Sequence, residues 1–105
     1  MSTSPIASRD LVAESSDGKR FKVTLFIGHP RPGEHDSWVC ASGVEGLSET
    51  PKDSHGTDSL QALLLSIQTA RSQLSRFVKG GGKLYWPGDE ASGAIPVAEL
   101  FGDGA

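Results

Sequence analysis

The sequence predicts an α+β fold: an antiparallel three- to four-stranded sheet in the order β-β-β-α-β, with one long helix packed on one face. Three observations carry this expectation. Residues 6–44 alternate apolar and polar side chains in short runs separated by turn residues, the period-two mark of half-buried strands. Thr57–Val78 is the long helix signal, with apolar residues three and four apart. The joints between the strand runs are short, which favours antiparallel neighbours.

The helix is expected to bury a stripe of Leu60, Leu63, Leu64, Ile67, Ala70, Leu74, Phe77 and Val78. Gln61, Ser66, Gln68, Thr69, Ser72, Gln73 and Ser75 form the face suited to solvent. Leu65 falls off the stripe, which places it against a flank or a partner. Asp58 suits the N-cap, with Gln61 three residues on to reach back, and Thr57 is the competing cap. Arg71, Arg76 and Lys79 oppose the negative end of the helix dipole, and Gly80, Gly81 and Gly82 end the helix. One apolar stripe needs a sheet to cover it.

Taken in order, a first strand falls within Ile6–Glu14, and Ser15–Lys19 is a turn with a strong Asp-Gly signal. Arg20–Gly28 is the clearest strand. Phe21, Val23, Leu25 and Ile27 share the face expected to meet the helix, with Phe26 on the other face. His29–Gly33 holds two prolines and is read as an unpaired loop. Asp36–Val44 is the third strand, with Trp38, Cys40 and Val44 on one face. Gly46–Gly56 is polar and turn-rich and is read as a connection. After the helix, Lys83–Trp86 is a short strand stopped by Pro87-Gly88. Ala94–Phe101 is an extended tail followed by one helical turn.

Length allows one domain, residues 1–105, ordered over 6–101 with frayed ends. The net charge of −3 and the lack of a basic cluster argue against nucleic-acid binding. The single cysteine, Cys40, excludes an internal disulfide and suits a reducing cytoplasm. No apolar run approaches the ~20 residues of a membrane span.

The candidate chemistry is sparse. Gly56-Thr57-Asp58-Ser59-Leu60 resembles the attachment site of acyl and peptidyl carrier proteins, which implies phosphopantetheine on Ser59. Those proteins are helix bundles, whereas residues 6–44 alternate as strands, so the motif is read first as a helix start. Lys79-Gly-Gly-Gly-Lys83 has the composition of a phosphate loop, but it follows a helix instead of opening one. His29, His35, Cys40 and His55 are zinc-ligand types without closely spaced pairs, so no metal is assigned. Cys40 beside a histidine would make a nucleophile, although a mid-strand cysteine suits a core. Glu45 with Glu49, or Asp89 with Glu90, would make an acid–base pair, although carboxylates in turns are commonly solvated. Trp38, Phe26, Tyr85 and Trp86 are the candidate partner-binding residues, since aromatics on an outer sheet face anchor interfaces.

Gly56-x-Asp58-Ser59-Leu60-Gln61-Ala62-Leu63, the leucine-rich helix, Leu84-Tyr85-Trp86-Pro87-Gly88 and Gly93-Ala94-Ile95-Pro96 together resemble a family of small bacterial proteins known as a domain of unknown function. The resemblance implies a compact stand-alone cytoplasmic protein in which Asp-Ser-Leu-Gln is a structural helix start. It brings no activity, cofactor or catalytic residue.

The expected function is a non-enzymatic interaction protein, of toxin-neutralising or secretion-accessory type. It would bind another protein through exposed aromatics or the outer face, as a monomer or an edge-strand homodimer. The alternative is a carrier-like protein or small enzyme using Ser59 or Cys40.

Overall fold

A computed structural model gives the fold and describes residues 4–47 and 49–102. Of the ends expected to fray, 1–5 and 102–105, residues 1–3 and 103–105 lie outside these, as does Ser48 in the connection ahead of the helix.

The chain runs β1 (Ala7–Glu14), β2 (Arg20–Ile27), β3 (Arg31–Pro32), β4 (Trp38–Glu45), β5 (Lys52–Gly56), α1 (Ser59–Lys79), β6 (Lys83–Tyr85), a 3₁₀ turn (Glu90–Ser92) and α2 (Val97–Leu100). The fold is α+β as expected, but the sheet has six strands, all paired antiparallel. β2 takes β1 on one side and β4 on the other, and β6 extends the sheet beyond β1. β4 carries β2 and β3 along one edge and β5 along the other, since Val39 pairs with both Arg31 and His55.

The two extra strands correct the sequence reading. β5 lies in what is read as a polar connection. It carries no apolar residue because its inward positions are Ser54 and Gly56, small enough to sit directly under α1. β3 lies in the segment read as unable to pair. Gly33 N–H donates to Ser37 C=O at 2.8 Å. Ladder alternation therefore puts Pro32 opposite Trp38 at a non-hydrogen-bonded pair, where its missing donor is no loss.

The helix-facing side of the sheet holds Leu11, Ala13, Val23, Leu25, Ile27, Cys40, Val44 and Leu84, all buried. The odd-numbered face of β2 does meet the core. α1 lies over β4 and β5, while Ile95 covers the β6 side, its N–H donating to Leu84 C=O at 2.7 Å.

α1 is rotated from the expected stripe. The residues it buries are Ala62, Ser66, Ala70, Gln73 and Leu74, whereas Leu60, Leu64 and Val78 are exposed and Leu63, Ile67 and Phe77 half-buried. Ser66 and Gln73, read as solvent-facing, are in the core. Small side chains at spacing four let the helix backbone come close to the strands, and this close approach sets the orientation more than leucine content does. Ser66 Oγ donates to Leu63 C=O at 2.8 Å and lies 3.2 Å from Cys40 Sγ.

The helix ends follow the sequence. Asp58 accepts from Gln61 N–H at 2.7 Å. Gln61 Oε1 reaches back one residue further than expected, accepting from Thr57 N–H at 2.7 Å. Gly80, Gly81 and Gly82 donate their N–H groups to the carbonyls of Arg76, Val78 and Phe77.

Candidate functional site: the outer face of the sheet

Among the described residues no helix covers the face opposite α1. Its centre is built by a register shift between β2 and β3. Ile27 pairs with Ser42 and Arg31 with Val39, so Gly28, His29 and Pro30 stand opposite only Cys40 and Ala41. One extra residue is a β-bulge, and it reverses the alternation of side chains beyond it. Arg31 consequently comes to the outer face, the face of Phe26, instead of pointing under the helix.

A concavity of about 580 Å³ opens there, with Phe26, Ala41, Thr24, Glu45, the bulge residue His29 and the first residue of β3, Arg31, in its lining. Pro5 and Ser8 close its β1 side. Phe26 crosses onto the strand pair beside it. A Cβ at Gly43, its partner in the ladder, would lie 3.1 Å from the phenylalanine ring. Glycine at position 43 is what lets the ring lie down over β4, leaving it half-buried.

The charges on this face of the sheet are mostly paired across strands. Arg31 meets Asp53 at 3.3 Å, Lys22 meets Asp10 at 3.6 Å and Arg20 meets Glu14 at 2.8 Å. Thr24 Oγ1 donates to Asp10 at 2.8 Å. Hydrogen bonding to Glu14 raises the pKa of Arg20.

The other aromatic candidates take different positions. Trp38 is on the helix side, opposite Gly56, and packs on the core. Trp86 also packs on the core, with the Arg9 guanidinium 4.6 Å from its ring centre. Tyr85 is on the outer side beside Val12, but is buried, with Arg20 4.8 Å above its ring. Phe26 is the one of the four that lines the bare concavity. His29, Arg31 and Glu45 join it, and the Pro-containing interruption after β2 is the sequence signal for the bulge that brings them together.

The remaining candidates are not assembled. Cys40 is fully buried on the helix side, its Sγ 3.2 Å from Gly28 C=O, while His55 on β5 is exposed on the opposite face. Among the described residues no cluster of three or more His, Cys, Asp or Glu could hold a metal. The amides of Gly80–Gly82 are committed to the helix end, so Lys79–Lys83 offers no nest of free N–H groups for phosphate. Glu49 pairs with Arg76 at 2.6 Å, whereas Glu45 faces the outer concavity. Asp89 accepts from Ser92 at 2.7 Å. Ser59 is exposed in the first turn of α1, on a sheet-based fold instead of a carrier's helix bundle. Among the described residues no helix is long and apolar enough to cross a membrane.

No curated protein and no solved structure matches the chain. One family model does, and it covers residues 7–97, from the first residue of β1 to the start of α2. The chain therefore belongs to the family described as Domain of unknown function (DUF6968).

Proposed function

We propose that this chain is a non-enzymatic protein-interaction module that holds a partner protein on the outer face of its sheet, with Phe26 as the anchor. The observation that carries this reading is the Phe26 ring, laid across Gly43 in a concavity of about 580 Å³ on a face that no helix covers among the described residues. Aromatic side chains half-open in a concave, largely apolar site are the usual anchors of interfaces. A toxin-neutralising or secretion-accessory role is the functional class this reading favours.

The test is a photo-crosslinking phenylalanine analogue at position 26, expressed in the protein's own host, with the same analogue at exposed Gln68 as the control. One adduct of defined mass from position 26, absent from position 68, is the expected result. Adducts shared by both positions, or none from position 26, overturn the reading. A phosphopantetheine-sized mass on Ser59 in the intact protein replaces it with the carrier reading.

A further inference from the structure

We propose that the chain pairs with a second copy of itself along the free edge of β5, in one register centred on Ser54. The inference is independent of the Phe26 reading and starts from hydrogen-bond direction. Gly28 donates to Ala41 and Gly33 donates to Ser37, so the odd-numbered residues of β4 point their backbone groups toward β2 and β3. The even-numbered ones point toward β5, where Trp38, Cys40 and Ser42 pair with Gly56, Ser54 and Lys52. In β5 itself, Asp53 and His55 therefore turn their N–H and C=O groups outward. Among the described residues nothing bonds to those groups.

An antiparallel copy can meet this edge in three registers that match outward groups. Asp53 opposite Asp53 of the copy sets like charges together and leaves His55 facing Pro51, which has no N–H. His55 opposite His55 leaves Asp53 facing Thr57, whose N–H is held by Gln61 at 2.7 Å. Asp53 opposite His55 satisfies all four outward groups on each strand. It also places a carboxylate beside an imidazole on the outer face, twice by symmetry. The charges that blunt this edge against other strands thus select one partner, the chain's own copy.

The helix side agrees. α1 lies over β4 and β5, about one strand spacing from the axis, so two copies set their helices roughly 10 Å apart, a normal packing distance. The flank of α1 toward the edge is marked by Thr69, whose hydroxyl lies 3.2 Å from that of Ser54. Leu65, one turn earlier on that flank, is the apolar residue that the helix stripe leaves out. It is placed to meet the second helix.

The experiment is sedimentation equilibrium of the purified chain, combined with amide exchange. A dimer of twice 11.0 kDa is expected, with the Asp53 and His55 amides protected alongside those of Lys52, Ser54 and Gly56. His55→Asp sets carboxylates against each other and is expected to weaken the dimer at least about tenfold. The double swap D53H/H55D restores complementary charge and is expected to recover most of that loss. Circular dichroism of each variant checks the fold. A wild-type monomer at ~100 μM, a dimer whose Asp53 and His55 amides exchange freely, or a double swap no tighter than His55→Asp overturns the proposal.

Discussion

Gly56 on β5 and Ala62 on α1 are in backbone contact: a Cβ at residue 56 would stand 2.5 Å from the Ala62 amide nitrogen. The helix is seated on the sheet at this point, six residues after the strand ends its ladder opposite Trp38. Gly56→Ala must push α1 away or bend β5, and overpacking of this kind costs about 1–3 kcal/mol. Urea unfolding should show a lower midpoint, and an unchanged midpoint would mean that the helix is not held this close.

The tip of the hairpin between β3 and β4 carries a backbone cost. His35 and Asp36 have φ of 55° and 59°, and Ser37 N–H donates to Glu34 C=O at 3.1 Å across them. Two central residues with positive φ mark a type I′ turn, for which Asn-Gly is the favoured pair. H35N/D36G is expected to stabilise the protein by about 1 kcal/mol, raising Tm by roughly 4–8 °C. A lower Tm would show that the His35 or Asp36 side chain contributes more than the turn costs.

Ser42 is fully buried on the helix side of β4, and its hydroxyl has no partner among the described residues. A buried polar atom without a hydrogen bond costs free energy that its removal returns. Ser42→Ala is expected to be neutral or stabilising by up to about 1 kcal/mol, whereas Ser66→Ala, which removes a bonded hydroxyl, is expected to cost about that amount. Equal losses in the two variants under urea would contradict this assignment.

Asp17 in the first turn accepts from the Ser15 hydroxyl and from Lys19 N–H, and these bonds hold its carboxyl below the ordinary value of 3.8. A lowered folded-state pKa means that the turn is favoured above the unfolded-state value, and that this contribution fades as pH falls through the lower, folded one. The side chain is exposed, so the readout is the titration itself, followed by carbon NMR of the carboxyl group. Ser15→Ala should move its midpoint up toward 3.8. A midpoint that stays in place would assign the shift to the backbone alone.

Cys40 should behave as a core residue. It is fully buried and in contact with Gly28 and Ser66. A thiol reagent is expected to label it only as fast as the protein opens, orders of magnitude slower than in denaturant. Prompt labelling of the native chain would place the thiol at the surface.

The sequence makes β1, β2, β4 and α1 readable because their burial is periodic, as at Val23, Leu25 and Ile27. It hides β5 because Ser54 and Gly56 carry little apolar surface, although the same small size is what admits the helix. The rotation of α1 is hidden for the same reason. Ala62, Ser66 and Ala70 are a weaker hydrophobic signal than the leucines beside them, but they are the residues that fit under a close helix. Of the site, Phe26 is legible as an outward aromatic in an alternating strand. The positions of Arg31, His29 and Glu45 around it are not, because they depend on pairing between strands that local pattern does not encode.

The bulge after β2 makes orientation a matter of counting. Three residues against two set the phase of everything from Arg31 to the hairpin tip, so the information lies in chain length as much as in side-chain chemistry. Losing a single residue between Ile27 and Arg31 would turn a guanidinium into the space beneath α1 and part it from Asp53, while leaving every remaining residue in the segment unchanged. Point substitution and deletion should therefore act differently here. The first edits the lining of the concavity, and the second dismantles the surface on which it sits.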